Sequence, residues 1–200
     1  MKKLIRKLLT GKKDGHAYFM GFFFVAFSLT VLIVVIGYYR IGLSTDHMQD
    51  VLTVSSLGSL VYDKDEYALT TNYILTNPNH NYQLLTNLIA KNAGLTKING
   101  YQFTGTSTLM DIDATHPCSI TRCIFYNCYI DEFGTFHIHY YEYEHGTLKA
   151  SGIESSATTP NGMPVTTTSV YVKIEYPLKY VMNREDRVMA VKESYVGLSE

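Results

Sequence analysis

From Ala17 to Tyr39 the chain reads AYFMGFFFVAFSLTVLIVVIGYY, 23 residues without a charge. A helix needs about 20 such residues to cross a hydrocarbon core roughly 30 Å thick. Nothing else in the sequence constrains the fold as tightly. It predicts one membrane-spanning segment (17–39), with everything after it forming a domain on one side of a bilayer.

Charge predicts which side. Lys2, Lys3, Arg6, Lys7, Lys12 and Lys13 precede the apolar run, against a single acid, Asp14. Basic residues next to a span stay cytoplasmic, so residues 1–16 read as a cytoplasmic basic leader and residues 40–200 as extracellular. After Arg40 there are 10 Lys/Arg and 17 Asp/Glu, a net of −7 hidden inside the chain-wide −1. An acidic outer domain argues against nucleic-acid binding, which calls for a basic face. A cleaved signal peptide is the competing reading of the run. Its usual apolar core is shorter, about 7–15 residues, and no small-x-small cleavage site follows here.

The outer residues divide into a helical part (40–95) and a β-rich part (96–200). Ile41, Met48, Val51, Leu52, Val54, Leu57, Leu60 and Val61 recur at mostly three- and four-residue steps, one face of a helix. The span therefore continues as one helix from about Ala17 to about Tyr62, with Gly37, Gly42 and Gly58 as points of weakness. Asp63-Lys64-Asp65-Glu66 reads as its solvated end. A second helix is expected from about Asn81 to Asn92, stopped by Gly94, with Asn77-Pro78-Asn79 as a loop before it.

Past residue 117 the period becomes two. Ile120, Ile124, Tyr126, Cys128 and Ile130 alternate with Thr121, Cys123, Phe125, Asn127 and Tyr129, as a strand does. Asp131 to Gly134 reads as a turn and Thr135–Glu144 as the return. A turn at Glu144-His145-Gly146 leads to a third strand, Thr147–Ile153. The polar stretch from Glu154 to Thr168 is a loop. Val170–Tyr176 is a fourth strand ended by Pro177, and Asn183–Asp186 turns into a last strand, Arg187–Val196. Short connections imply an antiparallel sheet with one face against helix: an α+β domain on a long helical stalk.

This organisation resembles type IV pilins and their minor relatives. Within that group it is most similar to the TadE-like proteins of tight-adherence pili, including Gram-positive variants. The resemblance rests on the stretch from Asp46 to Ala68 (DHMQDVLTVSSLGSLVYDKDEYA) and on VYVKIEYPLKYV (Val170 to Val181). It implies a non-enzymatic assembly subunit in the bacterial cell membrane, with membrane lipid and other pilin-like subunits as partners and no cofactor. It also implies removal of the leader, with a candidate cut after Gly15 and Gly11 as second choice. The family usually keeps a glutamate near the start of the mature helix. Here the fifth residue after Gly15 is Met20, and no acid lies between His16 and Tyr39. A retained anchor in an assembly platform stays open, as does a monomeric surface module that binds a ligand or regulates a partner.

Other residues stand out by their chemistry. Ala17 and Gly21 form a small-xxx-small pair that lets helices approach in lipid, with Phe24 beside them and Phe22, Phe23 and Phe27 offering rings to a neighbour. Cys118, Cys123 and Cys128 lie where disulfides can form. On a continuous strand Cys118 and Cys128 share a face but stand about 33 Å apart at ~3.3 Å per residue, so free or partly buried thiols, one disulfide at a turn, and an odd thiol linking subunits all remain. His137 and His139 share a strand face and form a candidate for zinc, beside a partner-facing strand as the plainer reading. Among 17 tyrosines, Tyr141 and Tyr143 are candidates for an interface, against packing inside the sheet. No GxSxG, HExxH, phosphate loop or CxxC occurs, and no catalytic residue is assigned.

Overall fold

In the computed structural model, residues 14–106, 111–112, 115–179 and 187–198 are described. The expected leader up to residue 13 and the turn at Asn183–Asp186 lie outside them. One helix, α1 (Asp14–Ser59), spans 46 residues, close to 70 Å at ~1.5 Å per residue. It runs unbroken through Gly37, Gly42 and Gly58. It ends at Ser59, so the expected extension to Tyr62 does not form.

Asp63 is not the solvated end of that helix. Its carboxylate accepts the N–H groups of Asp65 and Glu66, at 2.9 and 3.1 Å, and caps a separate short helix, α2 (Lys64–Thr70). The next helix, α3 (Pro78–Ala93), begins three residues before the expected Asn81, because Asn77 is its N-cap and Pro78 its first residue. Proline suits that position, since its missing N–H would have no helical partner and its φ is already helical. Gly94 closes the helix at φ 67°, as its place in the sequence predicts.

The rest is antiparallel sheet. The short β1 (Thr96–Lys97), β2 (Gln102–Thr106) and β3 (Asp111–Ile112) precede β4 (Cys118–Ile130), β5 (Phe136–Glu144), β6 (Thr147–Glu154), β7 (Ser169–Lys179) and β8 (Arg187–Gly197). β4 is central. It pairs β7 on one side, with β5 and, at its first residues, β2 on the other; β6 lies outside β5 and β8 outside β7. Pro177 does not end β7, which continues to Lys179. Pairing with β4 stops at Ser119–Glu175, and Pro177 pairs only Met189 of β8. Proline is accommodated where a strand has lost one neighbour.

Two cores form, one on each face of the sheet. The inner face carries Phe103, Cys123, Phe125, Tyr143, Val170, Val172, Ile174 and Tyr176 against Met48, Val51 and Leu52 of α1 and Leu85 and Ile89 of α3. The outer face buries Ile124, Tyr126, Cys128, Ile138 and Tyr171 beneath Val165 and Ala157. The single covered face expected from sequence is thus two. The Glu154–Thr168 loop supplies the second cover: Val165 N–H donates to Ala157 O, and Thr159 N–H to Met163 O, which pins Val165 onto the sheet. Every residue from Cys123 to Cys128 is consequently buried.

Helix α1 does not stand off as a stalk. From Ile41 onward it packs on the inner core. The buried face is Ser44, Met48, Val51, Leu52, Ser55, Ser56 and Ser59, while Val54 and Leu57, expected inside, are 61% and 52% exposed. Small side chains are favoured there by close approach. A Cβ on Gly58 would stand 3.0 Å from Leu88 Cδ1 of α3, and Asn92 Nδ2 donates to Ser55 Oγ at 3.0 Å.

Candidate functional site

The first half of α1 is the part of the molecule that its own domain leaves bare. From Tyr18 to Ile36 every residue is exposed, including Phe22, Phe24 and Phe27 at 71%, 73% and 68%. Among the described residues, α1 is the one helix long and apolar enough to cross a membrane, by length and composition; a signal sequence meets the same requirement. Ala17, Gly21 and Phe24 fall on one stripe of this surface by their four- and three-residue steps. A Cβ on Gly21 would meet nothing within 4 Å. Phe19 and Phe23 stack edge to face at 4.7 Å, and Phe22 and Phe23 at 6.4 Å. Gly15 sits in the first turn of the same helix.

A feature missed in the sequence is the spacing of tyrosines along this surface. Tyr18 and the pair Tyr38-Tyr39, all about 70% exposed, bracket the run 20 residues apart. That is roughly 30 Å along a helix, the thickness of a hydrocarbon core. Amphipathic rings at both ends of a span are how such helices are held at depth. The signal was legible as two tyrosine sites flanking an apolar run.

The cysteines are free and buried. A bulge between Ile120 and Arg122 reverses the alternation, so Cys118 and Cys123 share the inner core while Cys128 faces the outer one. The expected sharing of a face by Cys118 and Cys128 is corrected. Five residues of strand separate neighbours by about 16 Å, beyond the ~6.8 Å a disulfide accepts. Burial pushes the Cys118 and Cys128 thiols up to about 12 and Cys123 well above its ordinary value. Such thiols are poor nucleophiles.

Tyr143, a candidate for an interface, lies in the core of its own chain. It is 3% exposed, stacks on Tyr82 of α3, and donates its hydroxyl to Asn79 Oδ1 at 2.7 Å. Desolvation, then the charges of Cys123 and Tyr141, push its phenol up to about 12. Tyr141 is half-buried against the same core and bonds His139 Nδ1 at 3.0 Å.

His137 and His139 do lie on one face, but each has its own partner. His137 Nε2 is 2.9 Å from Asp131 Oδ2, its ring stacked on Tyr129 at 5.3 Å. That bond, with the Thr135 N–H, holds the Asp131 carboxyl below its usual range. Among the described residues no group of three or more His, Cys, Asp or Glu is arranged to hold a metal. His145 occupies the turn after β5 at φ 47°, its ring 5.6 Å from Tyr101.

No family model, curated protein or solved structure matches this chain.

Proposed function

We propose that this chain is a non-enzymatic, membrane-anchored subunit of a surface assembly, a minor-pilin-like component of a pilus or secretion apparatus in a bacterial cell membrane. Its N-terminus is cytoplasmic and its α+β domain extracellular. One observation carries the anchoring: a single unbroken helix is bare and apolar over its first half and packed against its own domain over its second. A bare surface of that composition is costly in water and favourable in lipid, at about 25 cal/mol per Å² of apolar area removed from water. The tyrosines at a bilayer's spacing and the basic leader against an outer net charge of −7 support the depth and the direction. The assembly role follows the resemblance to TadE-like proteins, and the stripe Ala17, Gly21, Phe24 supplies a surface through which subunits pack in the membrane.

Cysteine labelling of intact cells with an impermeant reagent tests this. A probe at Ser156, exposed in the loop over the outer face, is labelled and a probe at Lys3 is spared. The reverse pattern overturns the topology, and the assembly reading falls with it.

A further inference from the structure

Among the described residues β6 closes one end of the sheet, with β5 as its one neighbour. Its second edge presents a row of backbone N–H and C=O groups with no strand to meet them, which is how one chain templates pairing with another. Apart from Ala150 and Gly152 every residue of β6 is exposed, including Leu148 at 50% and Ile153 at 58%. A lysine and a bulge are common means of keeping such an edge apart. β6 has both, since its register with β5 slips between Glu142 and Tyr143 and leaves Lys149 as the extra residue. Residues 150–154 beyond the bulge are regular strand, and they carry the charge that answers the lysine.

The bulge decides which face each charge takes. Ala150 and Glu154 stand opposite Glu142 and Ile138. Ile138 lies in the outer core, so both residues belong to the outer face of the sheet. Lys149 is bonded to Glu144, which shares a face with Glu142 two residues before it, and so reaches the same outer side. On an unbulged strand Lys149 and Glu154, five residues apart, would point opposite ways. Ser151 and Ile153 stand opposite Tyr141 and His139 on the inner face. Gly152 lies beneath the Tyr140 ring: a Cβ there would stand 3.0 Å from the Tyr140 hydroxyl.

Two copies of this edge complement one another. A two-fold axis through Gly152 sets Ser151 opposite Ile153 of the second copy on the inner face, and Ala150 opposite Glu154 of the second copy on the outer one. Opposed residues have Cβ atoms about 4.5–5.5 Å apart. Lys149, beside Ala150 on the outer side, is therefore within reach of that glutamate, and the symmetry forms the ion pair twice. We propose that β6 pairs antiparallel with β6 of a second copy of this chain in this register, joining the two sheets edge to edge.

The pairing is compatible with two anchors in one membrane. β8 runs alongside α1, since Gln49 donates to Glu193 O and Ile41 and Ala190 pack on the same core. Four strand steps of about 20–25° separate β8 from β6, so the sheet has turned by roughly a right angle where β6 lies. A two-fold axis perpendicular to the sheet at β6 then runs along α1, and both bare helical halves stay on the same side. The proposal itself does not depend on the anchoring.

The test uses the full chain in detergent, its self-association measured by sedimentation. Lys149→Glu and Glu154→Lys each turn two attractions into two like-charge contacts, and each alone is expected to weaken association roughly tenfold. Mixing the two variants restores both ion pairs, so the mixture is expected to associate as the parent chain does. A mixture of Ser151→Cys and Ile153→Cys is expected to cross-link on oxidation more than either alone, because opposed Cα atoms about 4.5–5.5 Å apart suit a disulfide. Association indifferent to both charge reversals, a loss that mixing does not restore, or a parent chain that stays single overturns the proposal.

Discussion

The rings of Tyr82 on α3 and Tyr143 on β5 lie nearly parallel, 9° apart, with centroids 4.5 Å from each other. Phe125 meets the same Tyr143 ring edge-on at 6.2 Å. This stack is where the helical layer locks onto the central strands. Both phenols are held protonated by burial: Tyr143 is pushed up to about 12, and Tyr82 is raised further. Tyr143→Ala removes the shared ring and leaves a cavity, a cost of about 3–5 kcal/mol. Tyr143→Phe keeps the stack and loses the bond to Asn79, itself exposed, for about 0.5–1 kcal/mol. Denaturant unfolding of both variants measures the difference. Equal losses would place the stabilisation in the hydroxyl instead of the ring.

A second lock is polar. Asn127 is 6% exposed on the central strand, and its Oδ1 accepts the buried Leu75 N–H at 3.0 Å. One residue on, Cys128 N–H donates to Thr168 Oγ1 at 2.9 Å, and that hydroxyl donates onward to Tyr73 O at 2.6 Å. Asn127→Ala strands a buried donor, at a cost of about 1–3 kcal/mol, and is expected to speed hydrogen exchange at Leu75 selectively. Unchanged exchange at Leu75 would mean the segment before α3 is held by other contacts.

The buried thiols set an alkaline limit. Their folded pKa values lie above the ordinary 9.0, with Cys118 and Cys128 near 12. The folded state keeps its protons where the unfolded chain releases them. The stability they contribute is therefore full below pH 9 and is lost as pH rises toward 12. Cys118 alone accounts for on the order of 4 kcal/mol across that window. Thermal unfolding at rising pH should show a steep fall, and Cys118→Ala should flatten it while lowering stability at neutral pH. A slope identical in the variant would assign the alkaline loss to the tyrosines.

Much of this architecture is legible in the sequence because it rests on composition and period. The apolar run, the change from a helical to a two-residue period and Gly94 as a stop each follow from local chemistry. What was misread depends on neighbours. Val54 and Leu57 outrank Ser55, Ser56 and Ser59 in hydrophobicity, yet the serines face inward, because α3 approaches α1 too closely for larger side chains. The bulge at Thr121 carries no compositional mark, and that one backbone event reverses which cysteines share a face. Tyr141 and Tyr143 have the right parity for a common face, but alternation cannot say that this face lies under a helix. Asn77-Pro78 carries a loop signal although the same two residues make a helix start; only the following turns distinguish the cases.

The bare half of α1 gives the most direct test of assembly. Gly21 has open space around it within the chain, so a leucine there disturbs no contact of the folded domain. The inner core begins at Ile41, about 30 Å further along the helix at ~1.5 Å per residue. Gly21→Leu should therefore leave the unfolding temperature of the domain unchanged. If subunits pack through the stripe Ala17, Gly21, Phe24, the added side chain holds two helices apart, and self-association or pairing with a related subunit weakens. Close approach of small residues is what lets such helices pack in lipid, so association is expected to fall measurably. Crosslinking in the native membrane reads that drop directly. Phe24→Ala, which removes a ring without adding bulk, separates ring interlocking from backbone approach: a loss in both variants points to a packed seam, a loss in Gly21→Leu alone to close backbone contact. Unchanged crosslinking in both leaves α1 a simple anchor and moves subunit contacts onto the domain.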